Sequence, residues 1–136
     1  GVPVLAKSTV EAVAPIIYDV TDPQHFLAKE EVFGPVLAII TVKSFDEAML
    51  IANQTDYGLA ASLFTSNIKQ ALRGARALKA GTVTVNSYGE GDVTTPFGGY
   101  KQSGFGGRDN GLAAHDQFTQ IKTIWLDLSD DSADEI

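Results

Sequence analysis

Between residues 36 and 85, two capped amphipathic stretches alternate with three apolar runs of strand length, and this alternation constrains the fold most. Val36 to Val42 is a continuous apolar run, as expected for a strand covered on both faces. Ser44-Phe45-Asp46-Glu47 spells a capping box, with Ser44 as N-cap and Glu47 reaching back. Behind it Ala48, Leu50, Ile51 and Ala52 form the apolar side of a helix ending near Asn53. Tyr57 to Thr65 reads as the next strand. Ser66 is placed to cap a second helix, in which Ile68, Ala71, Leu72, Ala75 and Leu78 recur at helical spacing and Gly81 serves as the C′ stop. Thr82 to Val85 is a third, β-branched strand. Strand, helix, strand, helix, strand with short connections predicts two right-handed crossovers and a largely parallel sheet. The fold class is α/β.

The flanks are less regular. Residues 1–14 read as loop or frayed strand, and Ala14 to Val20 as a short strand with Pro15 near its start. Thr21-Asp22-Pro23 is turn chemistry, and His25 to Lys29 fits one helical turn, with His25 as a solvated turn residue. Residues 86–108 hold seven glycines among Tyr88, Phe97, Tyr100 and Phe105. A glycine-dense loop after a parallel strand lies at the carboxyl edge of the sheet, where open α/β folds place ligands. Its glycine spacing matches neither nucleotide-binding fingerprint. Asp109 is placed to cap a short helix carrying Leu112, Ala113, His115 and Phe118. Gln120 to Leu128, with Ile121, Ile124, Trp125, Leu126 and Leu128 among polar residues, reads as a strand with one buried face.

Composition removes whole classes of chemistry. With no cysteine, the chain has no disulfide, thiolate metal site or thiol nucleophile, and two histidines are too few for a His-based metal cluster. Its length suits one domain burying well over half of its unfolded surface. The net charge of −7 is concentrated in the last ten residues, where Asp127, Asp130, Asp131, Asp134 and Glu135 leave −2 for the rest. That distribution argues against nucleic acid or an anionic membrane as partner. No apolar run reaches membrane-spanning length and the start lacks a secretory pattern, so a cytoplasmic location is expected.

Glu30-Glu31-Val32-Phe33-Gly34-Pro35 puts two carboxylates and a ring in a Gly-Pro turn at the mouth of a strand. On an extended backbone, adjacent carboxylates point to opposite sides and make a poor acid/base pair. One carboxylate at a turn can instead accept two hydrogen bonds from a diol such as a ribose, with an aromatic packed alongside. The competing reading makes Glu30 and Glu31 solvated and Phe33 a core residue. No serine sits in a nucleophile-elbow context.

Three separated blocks carry a family resemblance: Glu30 to Val36, Asn53-Gln54-Thr55-Asp56-Tyr57-Gly58-Leu59-Ala60-Ala61, and Pro96-Phe97-Gly98-Gly99-Tyr100-Lys101-Gln102-Ser103-Gly104, with Gly81-Thr82-Val83 and Asn86 between the last two. In order and spacing the chain, from residue 14 to 128, resembles the C-terminal part of the catalytic domain of the aldehyde dehydrogenase superfamily. Gly107-Arg108-Asp109 and the closing Phe118 to Trp125 are nearest the branch oxidising γ-glutamyl-γ-aminobutyraldehyde and related aminoaldehydes. In that family a cysteine attacks the aldehyde, hydride passes to NAD(P)⁺, and a glutamate base helps water release the acid. The resemblance implies that the cysteine, base and dinucleotide-binding domain lie upstream, so no catalytic residue is expected in this chain and the isolated chain is expected to be inactive. It implies NAD or NADP as cofactor, with Glu31 on the nicotinamide-ribose hydroxyls and Phe33 beside that ribose. Asn86 and the loop Ser87 to Thr95 would line the substrate entrance, including Glu90, Gly91 and Asp92, with Phe97 near the reacting centre. Gly98 and Gly99 read as backbone-turn requirements. The strand 121–128 resembles the family's oligomerisation strand and implies a homo-oligomer.

The resulting division is residues 1–120 as part of a catalytic domain, 121–128 as oligomerisation strand and 129–136 as acidic tail. The chain departs from the family pattern in two places. Gly106-Gly107 before Arg108 is one residue longer than usual, and Gly89, Glu90 and Gly91 replace bulky apolar residues at the entrance. The second departure disfavours a large hydrophobic aldehyde, while Glu90 and Asp92 either select an amine-bearing one or are simply solvated. Two other functions stay open: a non-enzymatic self- or subunit-association module, and a small hydrolase using Ser87 or Ser103 with His115.

Overall fold

The computed structural model describes residues 3–7, 14–89 and 91–129. β1 (Val4–Lys7) runs antiparallel to β2 (Ile16–Asp19), with an irregularity between Val4 and Ala6. β2 pairs in parallel with β3 (Val36–Ile39), register Ile16↔Val36 to Asp19↔Ile39, across a connection that contains the one-turn α1 (Phe26–Lys29). α2 (Phe45–Ala52) then leads to β4 (Tyr57–Gly58) and β5 (Ala60–Leu63). α3 (Ile68–Ala77) connects β5 to the parallel β6 (Thr82–Val85), register Ala60↔Thr82 to Leu63↔Val85. β7 (Tyr100–Lys101) pairs antiparallel with β4, and a 3₁₀ helix spans Leu112–Phe118.

The α/β class holds, but among the described residues the strands form three sheets, ordered β1-β2-β3, β4-β7 and β5-β6. The expected single strand Tyr57 to Thr65 is divided because its first two residues pair with Lys101 and Tyr100. β3 is also half covered rather than buried on both faces, with Leu37 54% and Ile39 40% exposed.

The Glu47 N–H donates to Ser44 Oγ at 3.1 Å, and the Glu47 carboxylate takes the Lys43 N–H at 2.7 Å, one residue before the cap. α3 is capped by Asn67 rather than Ser66, its side-chain oxygen accepting from the Lys69 and Gln70 amides. Gly81 is not the C′ stop, since α3 ends at an extended Leu78. Gly81 instead meets the backbone of Gly98, and a Cβ on it would lie 1.6 Å from the Gly98 carbonyl oxygen. His25 caps α1, its Nδ1 accepting from the Leu27 N–H at 3.2 Å.

Burial is thin. Among the described residues Val20 and Ala71 are the buried hydrophobics, and Gly74 lets α3 close onto Leu63 and Phe45. Ile68, Leu72 and Leu50, expected on inward helix faces, are more than half exposed. The chain exposes 10951 Å². An autonomous domain of this mass exposes about 6,900 Å² and its unfolded chain about 21,000 Å². Only about half of the unfolded surface is therefore buried, less than length alone suggests.

The segment 119–129 forms no ladder among the described residues, and Ile121, Trp125 and Leu128 are 97%, 91% and 83% exposed. The buried face expected for Gln120 to Leu128 is not formed among the described residues, because a strand needs a neighbour to cover it. The acidic residues from Asp130 onward lie outside the described residues.

Candidate functional site

The Gly-Pro turn before β3 works differently from its sequence. Its left-handed residue is Phe33 (φ 51°), not Gly34. A bulky residue in that conformation carries about 1–2 kcal/mol of strain. The turn holds because the Val36 N–H donates to Gly34 O (2.7 Å) and the Ile16 N–H to Pro35 O (2.9 Å). The Phe33 ring is 89% exposed, so it is not core.

Glu31 is exposed, and its carboxylate accepts no hydrogen bond among the described residues. With Glu30, Asn53, Tyr57, Lys79 and Ser103 it lines an open cleft of about 410 Å³. Glu30 and Glu31 both contribute to the cleft lining, and Glu30, the C-cap of α1, has extended backbone (φ −97°, ψ 142°). Phe33 is not among its walls.

The substrate-entrance candidates separate. Asn86 (φ 53°) extends the β5–β6 ladder with its side chain: Nδ2 donates to Thr65 O at 2.9 Å and Oδ1 accepts from the Thr65 N–H at 2.8 Å. The Ser87 carbonyl accepts the Thr84 hydroxyl at 2.9 Å. Gly91 lines a second open cavity of about 520 Å³ with Tyr88, Gly89, Ala60, Ala61 and Ser62. Asp92 nucleates the next turn, Oδ1 accepting from the Thr94 N–H (2.7 Å) and hydroxyl (2.6 Å). Those bonds, the hydroxyl's foremost, hold its carboxyl below the usual carboxylate range. Phe97 is half-buried and exchanges backbone hydrogen bonds with Asp109, both at 2.6 Å. That bridge removes Asp109 as helix cap; Gly111 precedes the 3₁₀ helix instead. Glu90 lies outside the described residues.

Gly98 and Gly99 are needed for close approach rather than for a turn. A Cβ on Gly99 would stand 2.3 Å from Ser103 O, and neither residue has a positive φ. No hydrogen bond joins His115 to Ser87 or Ser103 among the described residues, and Ser103 Oγ is occupied by the Gly58 N–H at 3.1 Å. The hydrolase arrangement is not formed.

The arrangement is thus an exposed carboxylate, unpartnered among the described residues, on a cleft lined in part by the Asn53 to Ala61 block, with an exposed ring two residues on in a strained turn. The family model for the aldehyde dehydrogenase family matches residues 6–124. The chain belongs to the aldehyde dehydrogenase family. It is 54% identical over 117 residues to an aminoacetaldehyde dehydrogenase of Pseudomonas aeruginosa, covering 86% of this chain and 24% of that protein. It is 49% identical to an NADP/NAD-dependent aldehyde dehydrogenase of Escherichia coli, covering 86% and 23%. An aldehyde dehydrogenase of Bacillus cereus solved with NAD⁺ superposes with a TM-score of 0.86 at 39% identity, covering 95% of this chain and 27% of that one. The chain therefore spans about a quarter of the length of these relatives.

Sequence reasoning missed the residues that hold this aldehyde dehydrogenase segment together. Asn53 joins two helix ends, Nδ2 donating to Ala77 O (2.9 Å) and Oδ1 accepting from the Lys79 N–H (2.8 Å). An Asn just past a helix is a recognisable C-terminal signal, but its second helix is 24 residues away. Lys101 reaches back 46 and 48 residues, which no local pattern announces.

Proposed function

We propose that the chain supplies the C-terminal part of the catalytic domain of an NAD(P)⁺-dependent aldehyde dehydrogenase, residues 1–120 forming that part. The observation that carries this reading is Glu31 beside Phe33, on a turn where a left-handed Phe33 (φ 51°) keeps its ring 89% exposed. The residues fit a nicotinamide-ribose. An exposed carboxylate without a partner among the described residues offers two acceptors to a diol, and the solvent-facing ring offers a flat apolar face. NAD⁺ in the Bacillus cereus structure and the NADP/NAD dependence named for the Escherichia coli relative support either cofactor. The cofactor, when bound, accepts hydride from the substrate; Glu31 holds its ribose and Phe33 limits its lateral movement.

The substrate is a small aldehyde, and we assign it to the amine-bearing class. The Pseudomonas aeruginosa relative is named for aminoacetaldehyde. In this chain the Thr94 bonds fix the position of the Asp92 carboxylate, giving the entrance loop a negative charge suited to an ammonium group. We assign Asn86, Ser87, Glu90, Gly91 and Phe97 to the lining of the same entrance in the complete subunit, with Asn86 fixing the start of the loop through its two bonds to Thr65. The nucleophile and base come from outside this chain, so the purified 136-residue chain is inactive alone, whereas the complete subunit oxidises aminoaldehydes with NAD(P)⁺. Cofactor reduction followed at the dihydronicotinamide absorbance tests both statements. Turnover by the isolated chain, or none by the complete subunit with any aldehyde, refutes the reading. A cytoplasmic location belongs to the same proposal, and cell fractionation tests it.

A second reading, an association module, is favoured by one observation. Residues 121–128 carry five large apolar side chains yet form no ladder among the described residues, with Trp125 91% exposed. As an oligomerisation strand that segment joins a sheet of another subunit, giving a homo-oligomer, with 129–136 as an acidic tail beyond it. A light-scattering mass that stays monomeric with and without a complete dehydrogenase partner contradicts this role.

A further inference from the structure

We propose that Lys101 is a positioning residue that latches β7, within the glycine-rich segment 86–108, to the end of α2 and so sets aldehyde affinity; the kinetic part of this inference rests on the dehydrogenase reading above. Lys101 Nζ donates to Asn53 O at 3.0 Å and to Thr55 O at 2.7 Å. Asn53 is the C-cap of α2, where unpaired carbonyls concentrate partial negative charge. α2 carries Asp46 and Glu47 in its first turn and no basic residue in its last. The cation that a helix end of this kind favours is delivered instead from another part of the chain.

The side chain does not act alone. β4 and β7 pair beside it, the Gln102 N–H donates to Asp56 O at 3.0 Å, and Ser103 Oγ accepts the Gly58 N–H at 3.1 Å. Lys101 itself sits at φ 53°, a strained conformation for a residue with a long side chain. Strain of this sort persists when surrounding contacts over-determine it, and here the two carbonyls at its ammonium do so. Through Asn53 the latch also reaches the end of α3. It therefore ties β7, which follows Phe97 and the entrance loop in the chain, to the cleft that Glu31 lines, whose walls include Asn53, Thr55 and Ser103.

The test uses the complete dehydrogenase subunit carrying this chain, with Lys101→Met and Lys101→Arg variants. For Lys101→Met the aldehyde KM rises about tenfold, while kcat per correctly folded active site stays within about twofold. Lys101→Arg, which keeps a charged donor for the two carbonyls, recovers most of that loss. A residue that merely holds the fold lowers the active fraction and leaves KM unchanged, and that result overturns the proposal, as does an Arg variant no better than Met. Hydrogen exchange provides a readout independent of turnover. The Gln102 and Gly58 amides lose protection in Lys101→Met, whereas the Asn86 amide, bonded to Leu63 O, keeps it. Unchanged protection at Gln102 and Gly58 refutes the latch. If the wild-type subunit oxidises no aldehyde, the dehydrogenase reading fails while exchange still decides the latch.

Discussion

Replacing Asn86 separates a structural stitch from a substrate contact. Its amide makes two hydrogen bonds to the Thr65 backbone, at 2.8 and 2.9 Å, and its own N–H donates to Leu63 O at 2.7 Å. Asn86→Ala removes the two side-chain bonds, each worth about 0.5–1.5 kcal/mol. The residue is exposed, so the lower half of that range applies and the pair contributes about 1–2 kcal/mol. Alanine must also hold the left-handed φ of 53° that Asn tolerates through local hydrogen bonding, at about 1 kcal/mol. The predicted loss is about 2–3 kcal/mol. With a urea dependence near 2 kcal/mol per M, the unfolding midpoint drops by about 1–1.5 M. Asn86→Gly loses the bonds but not the conformational term, so its midpoint lies above that of the Ala variant. Circular dichroism in urea on the purified chain reads both. If Asn86→Ala unfolds with the wild-type midpoint, the amide does not stitch the ladder.

Gly81→Ala places a Cβ 1.6 Å from the Gly98 carbonyl oxygen, and backbone on both sides cannot step aside, so we expect a loss of at least about 3 kcal/mol, read by the same titration. Unchanged stability there means the Gly81–Gly98 approach is not as close as described. Asp92 titrates below the ordinary carboxylate range because Thr94 bonds its ionised form. Its folded pKa is depressed, so its stabilisation of the turn is complete above the ordinary aspartate range and is lost as pH falls through the depressed value. Carboxyl-carbon NMR measures that pKa, and Thr94→Val moves it back up; an Asp92 that titrates normally in the wild type contradicts the turn.

Local chemistry was legible and long-range pairing was not. The Ser44–Glu47 cap, the end of α2 at Asn53 and β6 over Thr82–Val85 all lie within a few residues of the signals that specify them. Ser66 and Asn67 are both good caps, and only geometry shows that the Asn67 oxygen reaches two amides. Gly81 has the spacing of a helix stop, but its requirement is set by Gly98, seventeen residues on and invisible to helical periodicity. The division into three sheets has the same origin, since β4 turns aside to pair with β7 across the glycine-rich loop. In the candidate site, Glu31 and Phe33 were identifiable as an unusual pair at a turn. The φ of 51° at Phe33 had no signal, because the adjacent Gly34 offers the obvious place for it.

The most direct measurement is cofactor affinity of the complete subunit by isothermal titration, comparing wild type, Glu31→Ala and Glu30→Ala. Both side chains are exposed, so neither change should disturb the fold. Losing charge-assisted hydrogen bonds worth about 1.5–3 kcal/mol weakens NAD(P)⁺ binding about 10- to 150-fold in Glu31→Ala. Glu30→Ala should bind as the wild type does. Equal affinities for all three proteins contradict the assignment of Glu31 to the cofactor ribose.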